Sequence, residues 1–190
     1  MGRGTTLLKS ALLGRSTVGC DINPLSAILL RPRLNPPRLE EIQQRLHEIN
    51  WEYDGPLPEE LLVFYHPKTL KQICALRETL RSGTSSVDEW LRMVATNRLT
   101  GHSKGFFSVY TLPPNQAVSV ESQRRINEQR NQSPDARDVA ELIFDKSRSL
   151  LSKISEEDRR RLSEWGPKSK IVTGSCDETP AIADQSVALV

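Results

Sequence analysis

Gly2 and Gly4 lead into a short helical run and then into Val18-Gly19-Cys20-Asp21, a β-like stretch that closes on an acid. Those residue types in that order can hold a nucleoside. A glycine turn lets backbone N–H groups approach a ligand, because a side chain would block the approach or a left-handed backbone. An acid ending the next strand can accept hydrogen bonds from ribose hydroxyls. Gly4 and Asp21 stand 17 residues apart, near the roughly 20 expected between such a loop and its acid. The dinucleotide fingerprint is incomplete, since Leu7 occupies the place of its third glycine. On spacing alone the same residues also describe an ordinary turn and a surface acid.

Other reactive side chains offer less. Cys20, Cys74 and Cys176 form no CxxC pair and no metal spacing, and an odd number of thiols fits a reducing cytoplasm. No metal is expected. His47 reads as solvated and His66 as a capping or turn residue. His102, between Gly101 and Ser103, has no Cys or Asp partner at a fixed spacing. The run Glu156 to Arg161 puts acids at the start of a helix and bases at its end, which suits the macrodipole of a solvated helix.

Hydrophobic residues make up 37% of the 190 and charged residues 26%, so the core should be modest. The net charge of +2 identifies no partner. Locally, Met1 to Arg38 carries six basic residues against Asp21 alone, which suits a polyanion or simply a solvated basic surface. No apolar run approaches a membrane span, and no signal-peptide pattern opens the chain, so a cytoplasmic protein without membrane contact is expected.

These residues must be positioned by regular elements. Leu7, Leu8, Ala11 and Leu12 recur at helical spacing before Gly14, which reads as a stop. Arg31 to Arg38 contains three prolines and is read as non-helical. Leu39, Ile42, Leu46 and Ile49 line one helix, and Leu70, Ile73, Leu76 and Leu80 another. Ser86 and Glu89 predict a capping box. Asn97 to Val120 lacks a helical period and reads as strand and loop. Ser133-Pro134 predicts the next helix start, and Ser155 the one after. Lys170 to Thr173 predicts a strand, and Val187 to Val190 the opening of another.

Three segments together resemble the S-adenosylmethionine-dependent DNA methyltransferases that modify exocyclic amino groups of adenine or cytosine. Gly2-Arg3-Gly4-Thr5-Thr6 is similar to the tail of their first motif, Asp-Pro-Phe-x-Gly-x-Gly-Thr-Thr. Val18-Gly19-Cys20-Asp21-Ile22-Asn23-Pro24-Leu25-Ser26 resembles the strand carrying the ribose-binding acid. Thr173 to Asp177 resembles the end of the third strand, and Asp184 to Val190 the approach to the (Asp/Asn/Ser)-Pro-Pro-(Tyr/Phe) catalytic motif. The resemblance implies cofactor contacts from Gly2, Gly4, Thr5, Thr6, Asp21, Ile22 and Asp177, with S-adenosylmethionine as cofactor. No catalytic residue is assigned, because the motif is expected beyond Val190.

Asn97 to Arg130 is similar to an insert of one prokaryotic branch of these enzymes. Arg98, Lys104, Arg124 and Arg125 suit DNA phosphates, and Asn115 and Gln116 could read base edges. Phe106, Phe107 and Tyr110 read equally as base-stacking groups or as core.

The expected architecture is α/β: an incomplete Rossmann-like methyltransferase sheet with a large, mainly helical insertion. Residues 1–32 and 168–190 belong to the sheet, and 33–167 form the insertion, with DNA as the partner. The chain is expected to be a truncated enzyme that binds cofactor poorly and transfers no methyl group alone, with a split enzyme, whose second chain supplies the catalytic motif, as one alternative. A non-enzymatic DNA-binding module is the other.

Overall fold

A computed structural model describes residues 2, 4–112, 116, 118–177, 179–180 and 182–188. Its α-helices are α1 (Thr5–Leu12), α2 (Pro24–Leu34), α3 (Leu39–Glu48), α4 (Pro67–Arg81), α5 (Ser86–Thr96), α6 (Val120–Arg130), α7 (Val139–Leu151) and α8 (Glu156–Trp165). Its strands are β1 (Val18–Asp21) and β2 (Lys170–Thr173). The chain is α-rich, with one two-stranded parallel sheet among the described residues, compatible with an α/β class.

Two compact units emerge: Met1–Pro37 with Ser152–Val190, and Arg38–Leu151. The sequence put the boundaries at 32/33 and 167/168. They fall elsewhere because α8 packs on α1 and α2 and so joins the terminal segments.

In the first unit, Leu7 and Ala11 of α1, Leu30 and Leu34 of α2 and Leu162 of α8 form a buried cluster, flanked by Leu8, Leu12, Trp165 and Ile171. β1 and β2 run parallel, with Val18 opposite Lys170 and Asp21 opposite Thr173. The Gly174 N–H continues the ladder onto the Asp21 carbonyl at 3.0 Å. Ser155 caps α8 as expected, its side chain accepting the Asp158 N–H.

The expected break at Arg31 is corrected by the structure: α2 runs through Pro32 to Leu34. An interior proline costs about 3 kcal/mol. Leu30 and Leu34 are both buried, and burying two leucines contributes about 2 kcal/mol each, enough to carry the helix past it.

In the second unit, α7 packs against α3, α4 and α5. Ile42, Leu70, Leu91, Val94, Phe107, Val139 and Ile143 are buried there. The Trp90 Nε1–H donates to the buried Ser147 hydroxyl at 3.0 Å. Asp88, also buried, accepts from Arg45 Nε at 2.9 Å and from the Ser85 hydroxyl at 2.8 Å.

Two helix starts differ from expectation. Ser85, not Ser86, caps α5, its hydroxyl accepting the Asp88 N–H at 3.0 Å. α7 begins at Val139 rather than at Pro134, with the Asp138 carboxylate accepting the Glu141 N–H at 3.0 Å. Asp138 outcompetes Ser133 because the buried positions Val139 and Ile143 follow it directly. Asn97 to Ser119 is irregular where described, with one isolated bridge, Gly101 to Tyr110. Val187 and Ala188 lie in no strand, while Leu189 and Val190 fall outside the described residues.

Candidate functional site

The C-terminal end of β1 meets the glycine turn of the same unit. Asp21 closes β1, and among the described residues its carboxylate accepts from Asn23 N–H at 3.0 Å, Gly2 N–H at 2.8 Å and Ser26 hydroxyl at 2.9 Å. Those donors hold its pKa well below the usual carboxylate range, the Asn23 N–H first, then Gly2 and Ser26. The acid therefore stays ionised and acceptor-only throughout the physiological range.

Local sequence explains this geometry. Asn23 caps α2 by accepting the Leu25 N–H at 3.0 Å, and Pro24 occupies the first turn, where its missing donor is harmless. The chain thus turns sharply after Asp21 and returns Ser26, buried in the first turn of α2, to the carboxylate. Gly4 caps α1 with a left-handed backbone, φ 73°. A Cβ there would stand 2.5 Å from Leu30 Cδ1, so only glycine lets the turn pack on α2.

Space remains beside this acid. Gly2 also has a left-handed φ of 58°, and no heavy atom lies within 4 Å of the point where its Cβ would stand. The same holds at Gly174, just after β2. Gly2, bonded to the Asp21 carboxylate, and Gly174, bonded to the Asp21 carbonyl, thus both face open space. Ile22 is 79% exposed, an aliphatic surface left uncovered next to Asp21. Thr5 and Thr6 are exposed in the first turn of α1, and Asp177 is exposed in the segment after β2. Cys20 directs its thiol toward the carbonyls of Gly174 and Ser175, at 3.4 and 3.5 Å, and joins the two strand ends. The structure thus joins Gly2 to Asp21 directly and brings the end of β2 alongside.

Ser26 is the contact that residue-type reasoning gave no role. Its signal was present in the sequence, since a hydroxyl in the first turn of the helix after the acid points back at the strand end.

The residues expected at nucleic acid lie in the second unit. Arg98 is half-buried, its guanidinium carbon 4.1 Å from the Phe106 ring centroid. Lys104 and Gln116 are exposed, and Asn115 lies outside the described residues. Arg124 and Arg125 are exposed on α6, Arg125 pairing with Glu121. Phe106 and Phe107 are 8% and 1% exposed, so they are core and not stacking platforms. Tyr110 is half-buried and covered by Arg130, 3.4 Å from its ring centroid.

A cavity of about 540 Å³ between α4 and α5 is lined mainly by aliphatic side chains. Its cations are engaged, Arg77 with Glu78 and Arg92 with the carbonyls of Leu80 and Gly83. Among the described residues no group of His, Cys, Asp and Glu could hold a metal, and no helix is long and apolar enough to cross a membrane. Comparisons with protein-family models, curated proteins and solved structures found no match.

Proposed function

We infer that the first unit is the S-adenosylmethionine-binding part of a DNA amino-methyltransferase. One observation carries the reading: an ionised acid at the C-terminal end of a parallel strand, hydrogen-bonded to the turn of Gly2 and beside open glycine backbone. Ligands of parallel α/β sheets bind outside the carboxyl ends of the strands. On this reading β1 and β2 are adjacent strands of a Rossmann-like sheet, with the second unit inserted between them.

The residues would divide the work by their chemistry. Asp21 accepts from the ribose hydroxyls. Gly2 lets the amino-acid end approach the backbone. Ile22 offers aliphatic surface to the adenine, and Asp177 is a candidate acceptor for its amino group. The cofactor supplies an electrophilic methyl on a sulfonium. The two Pro-Pro pairs, Pro36-Pro37 and Pro113-Pro114, are followed by Arg38 and Asn115 where the family motif has an aromatic. On this reading residues 1–190 supply cofactor contacts and hold no group assigned to methyl transfer.

Competition binding tests the reading. Labelled S-adenosylmethionine should be displaced by S-adenosylhomocysteine, which shares its nucleoside, and not by a nicotinamide dinucleotide. Preferential dinucleotide binding would replace the proposal with an oxidoreductase-type site.

A further inference from the structure

The loop from Arg98 to Thr111 carries two arginines whose charges the protein does not neutralise. Arg98 lies against the Phe106 ring, its Nε donating to the Asn97 carbonyl at 3.0 Å. Arg137, arriving from the segment before α7, donates from Nη1 to the Phe106 carbonyl and to the Ser103 carbonyl at 3.4 Å. Both guanidiniums are thereby fixed on the same short loop. Among the described residues neither is ion-paired with a carboxylate. Asp135 acts on Arg137 only through space. Burial pulls the pKa of both arginines down, so each is held at a cost in solvation.

The remaining guanidinium nitrogens are not buried, since the buried polar atoms without partners are Gln123 Oε1 and Arg159 Nε. Each half-buried fork therefore keeps donors that, among the described residues, make no hydrogen bond within the protein and are not fully buried. On the loop side the charge is one-signed, since residues 90–120 contain no Asp or Glu and Lys104 is exposed there, while Asp135 and Asp138 flank Arg137 in sequence. The loop is also rigid. Thr111 donates from N–H and hydroxyl to the Gly101 carbonyl at 2.9 and 3.1 Å, and Gly101 N–H donates to the Ser108 hydroxyl at 3.2 Å. A Cβ on Gly101 would stand 2.5 Å from the Phe106 ring. Fixed, desolvated forks with unused donors are the arrangement that recognises phosphate oxygens.

We propose that Arg98 and Arg137, fixed around Phe106, form a seat for a phosphodiester of the nucleic-acid backbone, with Lys104 adding charge. That the polyanion is DNA rests on the function proposed above; the phosphate chemistry rests on the loop alone. Phe106 and Phe107 are buried, so the seat offers no base stacking, and its affinity is independent of base sequence.

The test is fluorescence anisotropy of a labelled duplex with the full chain across a salt series. Each phosphate neutralised contributes about 0.9 to the slope of log affinity against log salt. Arg98→Gln and Arg137→Gln should each lower that slope, together by about one for the single phosphate they share, and each weaken binding roughly tenfold, equally for unrelated sequences. Arg81→Gln, at an exposed pair with Glu78, should change neither. Should Arg137→Gln fail to fold, Arg98→Gln and Lys104→Gln carry the test, because both leave the loop's Arg137 bonds in place. Unchanged slopes in the folded variants overturn the proposal. So does inorganic phosphate or a free nucleotide bound at micromolar concentration without duplex binding, which would mark a small-phosphate site instead. Cofactor binding is read separately. Altered slopes without S-adenosylmethionine binding sink the function and keep the seat, and the reverse keeps the function and sinks the seat.

Discussion

The Gly2 N–H donates to the Asp21 carboxylate at 2.8 Å across 19 residues of sequence. This bond ties the glycine turn to the end of β1 and makes one site of two motifs. Asn23 and Ser26 complete the acid's donors from the following helix. A carboxylate held by these donors is fixed in orientation, with Oδ2 accepting from both Gly2 and Ser26 and Oδ1 from Asn23.

The acid's titration follows from those donors. Its folded pKa is depressed, so its contribution is present above the unfolded value of about 3.9 and is lost only as pH falls through the folded value. Cofactor affinity should therefore stay flat from neutral pH down to about 4.5, as far as Asp21 is concerned. A carbon-detected NMR titration of the Asp21 carboxyl should show no inflection near 4. An inflection there would mean that the three bonds do not persist in solution.

Gly2 and Gly4 separate two uses of the same backbone conformation. Gly4→Ala meets Leu30 at 2.5 Å and a left-handed φ, so it should destabilise the first unit by about 2 kcal/mol or more. Gly2→Ala meets open space and should cost only the left-handed strain, about 1 kcal/mol, while its methyl group obstructs the approach of the cofactor proposed here and weakens binding. Urea unfolding of the two variants, with cofactor titrations of each, checks the contrast. Equal stability losses would contradict it.

The Arg45–Asp88 pair is the second unit's most demanding polar contact. Asp88 is 6% exposed. Burial alone would raise its pKa, but the Arg45 and Ser85 hydrogen bonds outweigh that and hold it down. Asp88→Ala removes the Arg45 partner and one acceptor of the Ser85 hydroxyl, and should cost about 3 kcal/mol. Arg45 keeps some solvent contact, which limits the loss. Since the Asp88 pKa is depressed, the pair's contribution should be complete above about pH 4 and fade below it. Denaturant unfolding of wild type and variant at pH 7 and pH 3 reads both statements; a stability gap that does not narrow at low pH contradicts the second.

Methyl transfer is predicted to need the (Asp/Asn/Ser)-Pro-Pro-(Tyr/Phe) motif, which residues 1–190 do not contain. The purified chain with labelled S-adenosylmethionine and unmethylated DNA should incorporate no label. Coexpression with a chain carrying the (Asp/Asn/Ser)-Pro-Pro-(Tyr/Phe) motif should restore incorporation. Robust methylation by this chain alone would contradict the assignment of residues made above.

The sequence was most informative where a local rule met no opposition. α1, α4, α8 and both strands follow their apolar periodicity and caps, and Asp21 stands at a strand end as the β-rich run before it predicts. It misled where tertiary packing decides. Pro32 stays helical because Leu30 and Leu34 are buried on either side. Ser133 lost the cap of α7 to Asp138 because the buried face begins at Val139. Phe106 and Phe107 left two readings open, and burial decided for core, information that no local pattern contained. Arg137 was invisible for the same reason: it reaches a loop more than 30 residues upstream through a backbone carbonyl, and carbonyls carry no sequence signal.

The most direct measurement of the central claim is isothermal titration of S-adenosylmethionine into the wild-type chain and into Asp21→Asn. The account predicts weak, saturable binding to the wild type. In Asp21→Asn, which loses the charge and one acceptor position, affinity should fall at least roughly tenfold. Absence of saturable binding to the folded wild type, or equal affinity in the variant, would contradict it.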